Sequence, residues 1–156
     1  RMLARITNYI DTQCGIESSY ATYIDPNIKK PFEVEHIWAD RFERHTDEFS
    51  HPTDFGDYRN RIGGLILLPK GFNQSLNDDD YETKVEAYFG QNLLAKSLNQ
   101  SCYEKNPSFL QFIQHSGLSF KPYSHFNKAD LDERQELYRQ ICKKIWSPSR
   151  FDDELN

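Results

Sequence analysis

Apolar residues near the start of the chain recur at helical spacing: Leu3, Ile6, Tyr9 and Ile10. Spacings of three and four residues bring side chains onto one side of an α-helix, and glycine commonly follows the last turn. Gly15 lies just beyond this segment. The pattern therefore predicts an opening helix that ends before Gly15.

Two short segments have the pattern of β-strands. Residues 32–36 alternate apolar and polar side chains after a turn-rich stretch at 20–31, and Leu65–Leu68 form an apolar run that ends at Pro69-Lys70-Gly71. Alternation, and short apolar runs between turn residues, are typical of strands. We expect the two segments to pair as a hairpin.

The segment between these strands, from Trp38 to Phe55, has no clean period. His51-Pro52 and Phe55-Gly56-Asp57 contain residues that favour turns. We therefore predict loop here, with one short helix as an option over residues 40–49.

Helix signals return after the second strand. Asn77–Asp80 offers N-caps and acidic first-turn residues, Asn106-Pro107 offers another start, and Asn127 with Asp130 resembles a capping box. The apolar residues of four helices follow: Tyr81, Val85 and Tyr88 before Gly90; Leu93, Leu94 and Leu98; Phe109, Phe112 and Ile113; and Leu131, Leu137, Tyr138, Ile141 and Ile145 before Ser147-Pro148. All these elements together predict one helix-rich α+β domain over residues 1–156.

Composition and charge narrow the class of protein. A chain of 156 residues with 37% hydrophobic content suffices for one domain with a core, and 14% aromatic residues predict an aromatic-rich core. The net charge of −5 argues against tight autonomous binding to DNA phosphates. Local charge matters more than the sum, and basic residues flank the candidate site described below: Arg41, Arg44, Arg59, Arg61 and Lys70.

The cysteines and the apolar runs bear on the cellular setting. Cys14, Cys102 and Cys142 are far apart and form no Cys-x-x-Cys pair, so we do not expect a structural zinc site. No apolar run approaches the length of a membrane span, and no signal-peptide pattern opens the chain. We expect a cytoplasmic protein. Because the chain begins inside a predicted helix, we also expect it to be a fragment of a longer polypeptide.

Candidate chemistry lies next to the predicted strands. Glu35 and His36 are adjacent at the end of the first strand, and Asn73 follows the second, just before a polar helix start. Phosphodiester hydrolysis needs a deprotonated water and stabilisation of the phosphate charge. A histidine with its ordinary pKa of about 6.5 can take the proton. Oxygen ligands from Glu35 and Asn73 favour Mg²⁺ or Mn²⁺ over zinc.

These residues resemble the HNH, or ββα-metal, endonucleases, and in particular the C-terminal domain of GmrSD-type restriction and phage-defence proteins. The resemblance covers the middle third of the chain best and rests on these motifs: Glu35-His36-Ile37, the run from Asn60 to Leu68, Asn73, Leu76-Asn77, and Lys84 with Tyr88. It implies a ββα-metal core at about residues 32–90, with flanking helices on both sides.

The resemblance also implies a function and roles for single residues. His36 matches the general base, Glu35 the metal ligand beside it, and Asn73 the final metal-binding position at the start of the helix. The implied activity is metal-dependent cleavage of double-stranded DNA, one strand per site, in the restriction of foreign or modified DNA. An N-terminal nucleotide-hydrolysing domain or subunit is the implied partner, and this chain the C-terminal part of the longer protein.

Two positions depart from the family pattern. Relatives commonly have Gly-Asn-Leu before the second strand, where this chain has Gly63-Gly64-Leu65, and Pro-Gln after the histidine, where it has Ala39-Asp40. Asn60 stands four residues before Gly64 and is our candidate to replace the missing side chain, either by orienting His36 or by contacting phosphate. The departures motivate an alternative, a catalytically degenerate module of the same fold that binds nucleic acid or a partner protein.

Other polar residues have competing interpretations. We expect Arg59, Arg61, Lys70 and Lys84 to contact nucleic acid, although Lys84 could equally pair with Asp80 at the four-residue spacing. The remaining histidines are interpreted more simply. We expect the loop residues His45 and His51 to be solvent-exposed, and His115 and His125 to be structural.

Overall fold

The computed structural model describes residues 1–76 and 78–147. Single 3₁₀ turns lie at Phe42–Arg44, Ile62–Gly64 and Gln100–Tyr103. The remaining elements are, in chain order, α1 Met2–Gln13, α2 Tyr20–Ile24, β1 Phe32–His36, α3 Pro52–Arg59, β2 Leu65–Pro69, α4 Lys70–Ser75, α5 Tyr81–Tyr88, α6 Leu93–Lys96, α7 Pro107–Ser116 and α8 Lys128–Ile145.

The two strands form an antiparallel sheet, as the sequence predicts. Val34 lies opposite Leu67, and His36 lies opposite Leu65 at the end of the pairing. The strands are joined by the long segment 37–64, which contains helix α3, so they do not form a tight hairpin. Because α4 starts directly after β2, the order is strand, strand, helix. The predicted α+β fold with a ββα core is confirmed.

An aromatic-rich core packs between the sheet and the helices. Ile66 and Leu68 of β2 are fully buried, as are Ile6 and Ile10 on the predicted face of α1. Around Trp38, five further aromatic rings lie with their centroids within 6.5 Å of its own: His45, Phe49, Phe55, Tyr58 and Phe126. Large buried rings compensate for a modest number of aliphatic residues. This cluster packs the segment between the strands against Phe126, which lies just before α8.

The predicted helices α1 and α5–α8 are confirmed, and so are the N-terminal caps predicted for α5, α7 and α8. The Asp80 side chain accepts a hydrogen bond from the Thr83 amide, and the Asn106 side chain accepts one from Phe109. At the start of α8, Asn127 and Asp130 form the reciprocal capping box. Asn77, predicted to contribute to the α5 cap, lies outside the described residues.

Helix α3 contradicts the prediction of loop up to Phe55. The His51 ring accepts a hydrogen bond from the Thr53 amide, and Pro52 occupies the first helical position, where its missing N–H costs nothing. Phe55 is 2% exposed, and its burial stabilises the helix from outside. The residues interpreted as turn formers are therefore the N-cap, the first residue and the middle of a helix. The optional helix over 40–49 is reduced to the 3₁₀ turn Phe42–Arg44.

The position of Asn73 also corrects a prediction. The helix starts at Lys70 rather than after Asn73, and Asn73 lies within it. Pro69-Lys70-Gly71 is therefore a helix start and not a turn. The Lys70 amide donates to the Pro31 carbonyl at 2.8 Å, which extends the contact between the strands into the first residue of α4. The short α4 consequently packs against both strands.

Two further features concern the described residues as a whole. None of their helices is long and apolar enough to cross a membrane. Cys14, Cys102 and Cys142 are all free thiols.

Candidate active site

A cavity of about 390 Å³ lies at the end of β1, between the sheet and helices α3, α4 and α5. Seven residues line it: Val34, Glu35, His36, Arg59, Asn73, Gln74 and Lys84. The structure therefore brings together the three residues that the sequence suggests for metal binding and proton transfer. They come from a strand and from the helix that follows its partner strand. The order of elements in the ββα core is what makes them neighbours.

Glu35 is the buried acid of this cavity. Its side chain is about 6% exposed, and its Oε1 accepts hydrogen bonds from Lys84 Nζ at 2.7 Å and from the Tyr88 hydroxyl at 3.0 Å. Residues four apart on a helix share a face, so α5 presents both donors to the same oxygen. Among the described residues, the hydrogen bonds to this carboxylate all end on Oε1. Oε2 therefore keeps its lone pairs for another partner.

Lys84 also fixes the end of the strand. Its amine donates to the His36 carbonyl at 3.0 Å, and its side chain is 1% exposed. A buried ion pair with good geometry and extra hydrogen bonds offsets the cost of removing both charges from water. The competing interpretation, a pair between Lys84 and Asp80, is not the arrangement found. Contact between Lys84 and nucleic acid stays a prediction.

His36 is half-buried and hydrogen-bonded to Asn60. The distance between His36 Nε2 and Asn60 Oδ1 is 2.9 Å, and Asn60 Nδ2 donates to the Gly56 carbonyl at 2.9 Å. Because the second bond orients the amide with its oxygen toward the ring, Nε2 must carry the hydrogen. Nδ1 then has the free lone pair. Burial lowers the pKa of His36, with partial opposition from the bond to Asn60, and so favours the neutral ring.

Asn73 contributes an amide oxygen that lacks a partner. Its Oδ1 is buried and accepts no hydrogen bond from the residues that the structure describes. Buried polar atoms without partners are uncommon in native proteins, and one of the usual reasons is a bound ion or water. This oxygen belongs to a residue that lines the same cavity as Glu35 and His36.

Arg59 and the exposed cations occupy different places. The half-buried Arg59 lines the cavity and donates from Nε to the Trp38 carbonyl at 2.9 Å. Burial lowers the pKa of this guanidinium, with partial opposition from Asp40, yet arginine stays charged at neutral pH. The exposed Arg61 and Lys70 lie outside the cavity lining. Each is paired with a carboxylate, Arg61 with Asp132 and Lys70 with Glu33.

Gly63 and Gly64, where the chain departs from the family pattern, are closely packed. A Cβ atom on Gly63 would lie 2.4 Å from the Leu131 carbonyl oxygen, and one on Gly64 would lie 3.2 Å from the Arg59 carbonyl oxygen. Helix α8 thus leaves no room for a side chain at position 63, and a side chain at position 64 would be in tight contact with α8 and the end of α3. Asn60, at the C-terminus of α3, reaches His36 instead. Of the two interpretations of Asn60, the contact with His36 is the one present.

Sequence reasoning missed some residues near the site. His45, expected to be exposed, is half-buried, with ring centroids 4.5 Å from Trp38 and 5.1 Å from Phe55. Its burial follows from the unpredicted helix α3. Tyr88 belongs to the motifs of the resemblance, but its hydrogen bond to Glu35 was not predicted.

Comparison with known protein families gives a match over most of the chain. A family model described as "GmrSD restriction endonucleases, C-terminal domain" matches residues 3–141. The chain belongs to this family. The match extends from α1 into α8, so it includes all the residues that line the cavity in this GmrSD C-terminal domain. No curated protein and no solved structure matches the chain.

Membership identifies a nuclease domain of a restriction endonuclease. The resemblance inferred from the Glu35-His36 and Asn73 motifs is confirmed at the level of the family. In the described residues of this GmrSD C-terminal domain, the cavity at the end of β1 combines an acid, a neutral imidazole and an unpartnered amide oxygen. It is the place where we expect the chemistry.

Proposed function

We propose that this GmrSD C-terminal domain is a metal-dependent DNA endonuclease of the HNH type, with its active site in the cavity at the end of β1. The observation that carries the proposal is the buried, unpartnered Oδ1 of Asn73 in a cavity that also contains Glu35 and His36. An unpartnered amide oxygen beside a carboxylate is a set of hard oxygen donors. Such donors suit Mg²⁺ or Mn²⁺.

The residues present fit one divalent ion. No group of three His, Cys, Asp or Glu side chains suited to a metal occurs within residues 1–76 and 78–147, so an amide has to complete any site here. Glu35 Oε2 and Asn73 Oδ1 would hold the ion. Mg²⁺ commonly binds through one or two protein oxygens and keeps several waters or substrate oxygens. When bound, the ion supplies charge stabilisation at the scissile phosphate and its leaving oxygen.

His36 acts as the general base in this proposal. The Asn60 bond holds the hydrogen on Nε2, which leaves Nδ1 to accept a proton from the attacking water. Its lowered pKa keeps the ring neutral, and therefore able to accept a proton, at physiological pH. A positioned general base contributes roughly 10²–10⁴-fold to a rate.

Cationic side chains are available for the DNA backbone. Arg59 lines the cavity and would contact the phosphate nearest the reaction, whereas Arg61 and Lys70 lie outside it and would contact flanking phosphates. The acidic partners of Arg61 and Lys70 must release them, so we expect weak binding by this domain alone. A second, N-terminal nucleotide-hydrolysing domain or subunit would then supply recognition and control.

One site of this kind cuts one strand at a time. Double-strand cleavage needs two copies or two successive nicks. We further propose, by analogy with the family rather than from the cavity, that the substrate is foreign or modified double-stranded DNA.

A plasmid assay tests the proposal. Purified protein with Mn²⁺ should convert supercoiled plasmid to the nicked form before linear DNA accumulates, and EDTA should abolish the reaction. His36→Ala should lower the nicking rate by at least about 100-fold. The control is His115→Ala, which removes an exposed histidine from α7 and should leave the rate unchanged. If both variants nick like the wild type, the activity belongs to a contaminant and the proposal fails.

The alternative is a degenerate module of the same fold that binds DNA or a partner without cutting it. The ion pair between Lys84 and Glu35 favours it, because the acid already has a cationic partner. This alternative predicts that Mn²⁺ leaves the thermal midpoint unchanged, since a ligand that binds the native state must raise it. A rise in the midpoint of wild type that is absent in Asn73→Ala argues against the degenerate module, and plasmid nicking that is lost in His36→Ala excludes it.

A further inference from the structure

The cavity carries more positive than negative formal charge. Among the residues that line it, Glu35 is the acid, whereas Arg59 and Lys84 are bases. The Lys84 amine lies 2.7 Å from the Glu35 carboxylate, which neutralises the acid before any ion arrives. The guanidinium of Arg59 then leaves a net positive charge. Protonation of His36 would only increase it.

Such a cavity disfavours an isolated divalent cation. Like charges a few ångströms apart repel strongly where water is scarce, and both bases of the cavity wall are at least half-buried. Outside the lining, Asp40 is the acid whose charge raises the pKa of Arg59, and it is exposed and therefore screened. No second lining carboxylate among the described residues compensates the bases. A cation needs another anion to bind well here.

The phosphate of DNA can be that anion. We propose that the divalent cation and the DNA phosphate enter this cavity cooperatively, each weakly without the other, because Arg59 and Lys84 outweigh Glu35. The inference rests on the proposed metal-dependent cleavage and concerns its order of assembly. A phosphate oxygen satisfies both the guanidinium of Arg59 and the cation, and reciprocal coupling follows from thermodynamic linkage.

The consequence is control of activity. A nuclease domain that holds its metal only when DNA is in place does not carry an assembled active site in the absence of substrate. Lys84 is then a positioning residue. It fixes Oε1 of Glu35 and the His36 carbonyl, and it sets the metal affinity of the free domain.

Mn²⁺ affinity, measured by calorimetry, tests the inference. His36→Ala protein, which keeps DNA intact, is titrated with Mn²⁺ in the presence and absence of a short DNA duplex. We expect the duplex to lower the Mn²⁺ dissociation constant by at least about tenfold. In the wild-type background without DNA, Lys84→Met and Arg59→Gln should each tighten Mn²⁺ binding by a similar factor. The matched control is Lys105→Met, which removes one exposed positive charge outside the cavity lining and should leave Mn²⁺ binding unchanged.

The outcomes separate this inference from the proposed function. Unchanged or weaker Mn²⁺ binding in folded Lys84→Met overturns the inference, and Arg59→Gln decides it alone if Lys84→Met does not fold. Equal Mn²⁺ affinity with and without duplex, in a protein whose wild type nicks plasmid, also overturns it while the proposed function stands. Absence of Mn²⁺ binding in every sample, together with absence of cleavage, overturns both.

Discussion

Asn60 gives the most informative single perturbation of the proposed mechanism. Its Oδ1 lies 2.9 Å from His36 Nε2, and the bond from its amide nitrogen to Gly56 sets its orientation. Asn60→Ala removes the acceptor that keeps the hydrogen on Nε2. Asn60→Asp keeps an acceptor there and makes it negative. The two variants perturb the same ring in opposite electrostatic directions.

The size of the effect follows from the geometry. The net free-energy contribution of a hydrogen bond is about 0.5–1.5 kcal/mol. Because the bond between His36 and Asn60 is exposed to solvent, the lower half of this range applies. We expect Asn60→Ala to reduce kcat by about two- to fivefold, because the ring spends less time in the competent tautomer and orientation. This is far less than the loss expected for His36→Ala, since the base itself remains.

The dependence of the nicking rate on pH shows in which direction each Asn60 variant shifts the pKa of His36. The bond to Asn60 raises the pKa of His36, so its loss should move the acid limb of the rate profile to lower pH. A carboxylate at the same position stabilises the protonated ring and should move the limb to higher pH. The assay is initial nicking rate against pH at saturating Mn²⁺. The charge control is Asn27→Asp in an exposed turn, which should leave the profile in place.

A shift of both Asn60 variants in the same direction, or of neither, would refute the role assigned to this bond. A decrease in kcat as large as that of His36→Ala would instead indicate that Asn60 itself takes part in the reaction.

Two further predictions concern folding. Gly63→Ala should destabilise the domain by about 3 kcal/mol in urea denaturation, because its Cβ atom would lie 2.4 Å from the backbone of α8. Gly56→Ala, whose Cβ atom would have no neighbour within 4 Å, should stabilise the domain by about 0.5–1 kcal/mol. Similar urea midpoints for the two variants would contradict this prediction. Burial raises the pKa of Asp11, so its contribution to stability is present below its unfolded pKa of about 3.8 and is lost as pH rises through the folded pKa. The urea midpoint of Asp11→Asn relative to wild type should accordingly increase from pH 4 to pH 7, and a constant difference would contradict the assignment.

The sequence predicts those elements whose signals are local. The strand at residues 32–36 and the capping box of Asn127 and Asp130 are recognisable because period and cap residues lie within a few positions of one another. Helix α3 escaped prediction because its stability comes from outside the helix. Phe55 packs against Trp38, and the sequence of α3 alone does not predict that contact.

In the candidate site, too, local sequence predicts some residues, whereas other contacts depend on tertiary packing. Glu35, His36 and Asn73 are predictable because strand and helix order place them together. The pair between Lys84 and Glu35 joins residues 49 positions apart, and its exact partners depend on how α5 packs against β1. The contact of Asn60 with His36 likewise joins residues 24 positions apart, and the close packing of Leu131 against Gly64 depends on the position of α8.

Dependence of the nicking rate on Mn²⁺ concentration tests the central claim most directly, with Asn73→Ala compared with Gln74→Ala. Both residues line the cavity from α4, but Asn73 has the unpartnered oxygen assigned to the metal. We expect Asn73→Ala to require at least about tenfold more Mn²⁺ for half-maximal rate, or to lose activity, and Gln74→Ala to follow the wild-type curve. Superimposable curves for wild type and Asn73→Ala would contradict the claim that this cavity is a metal-dependent active site.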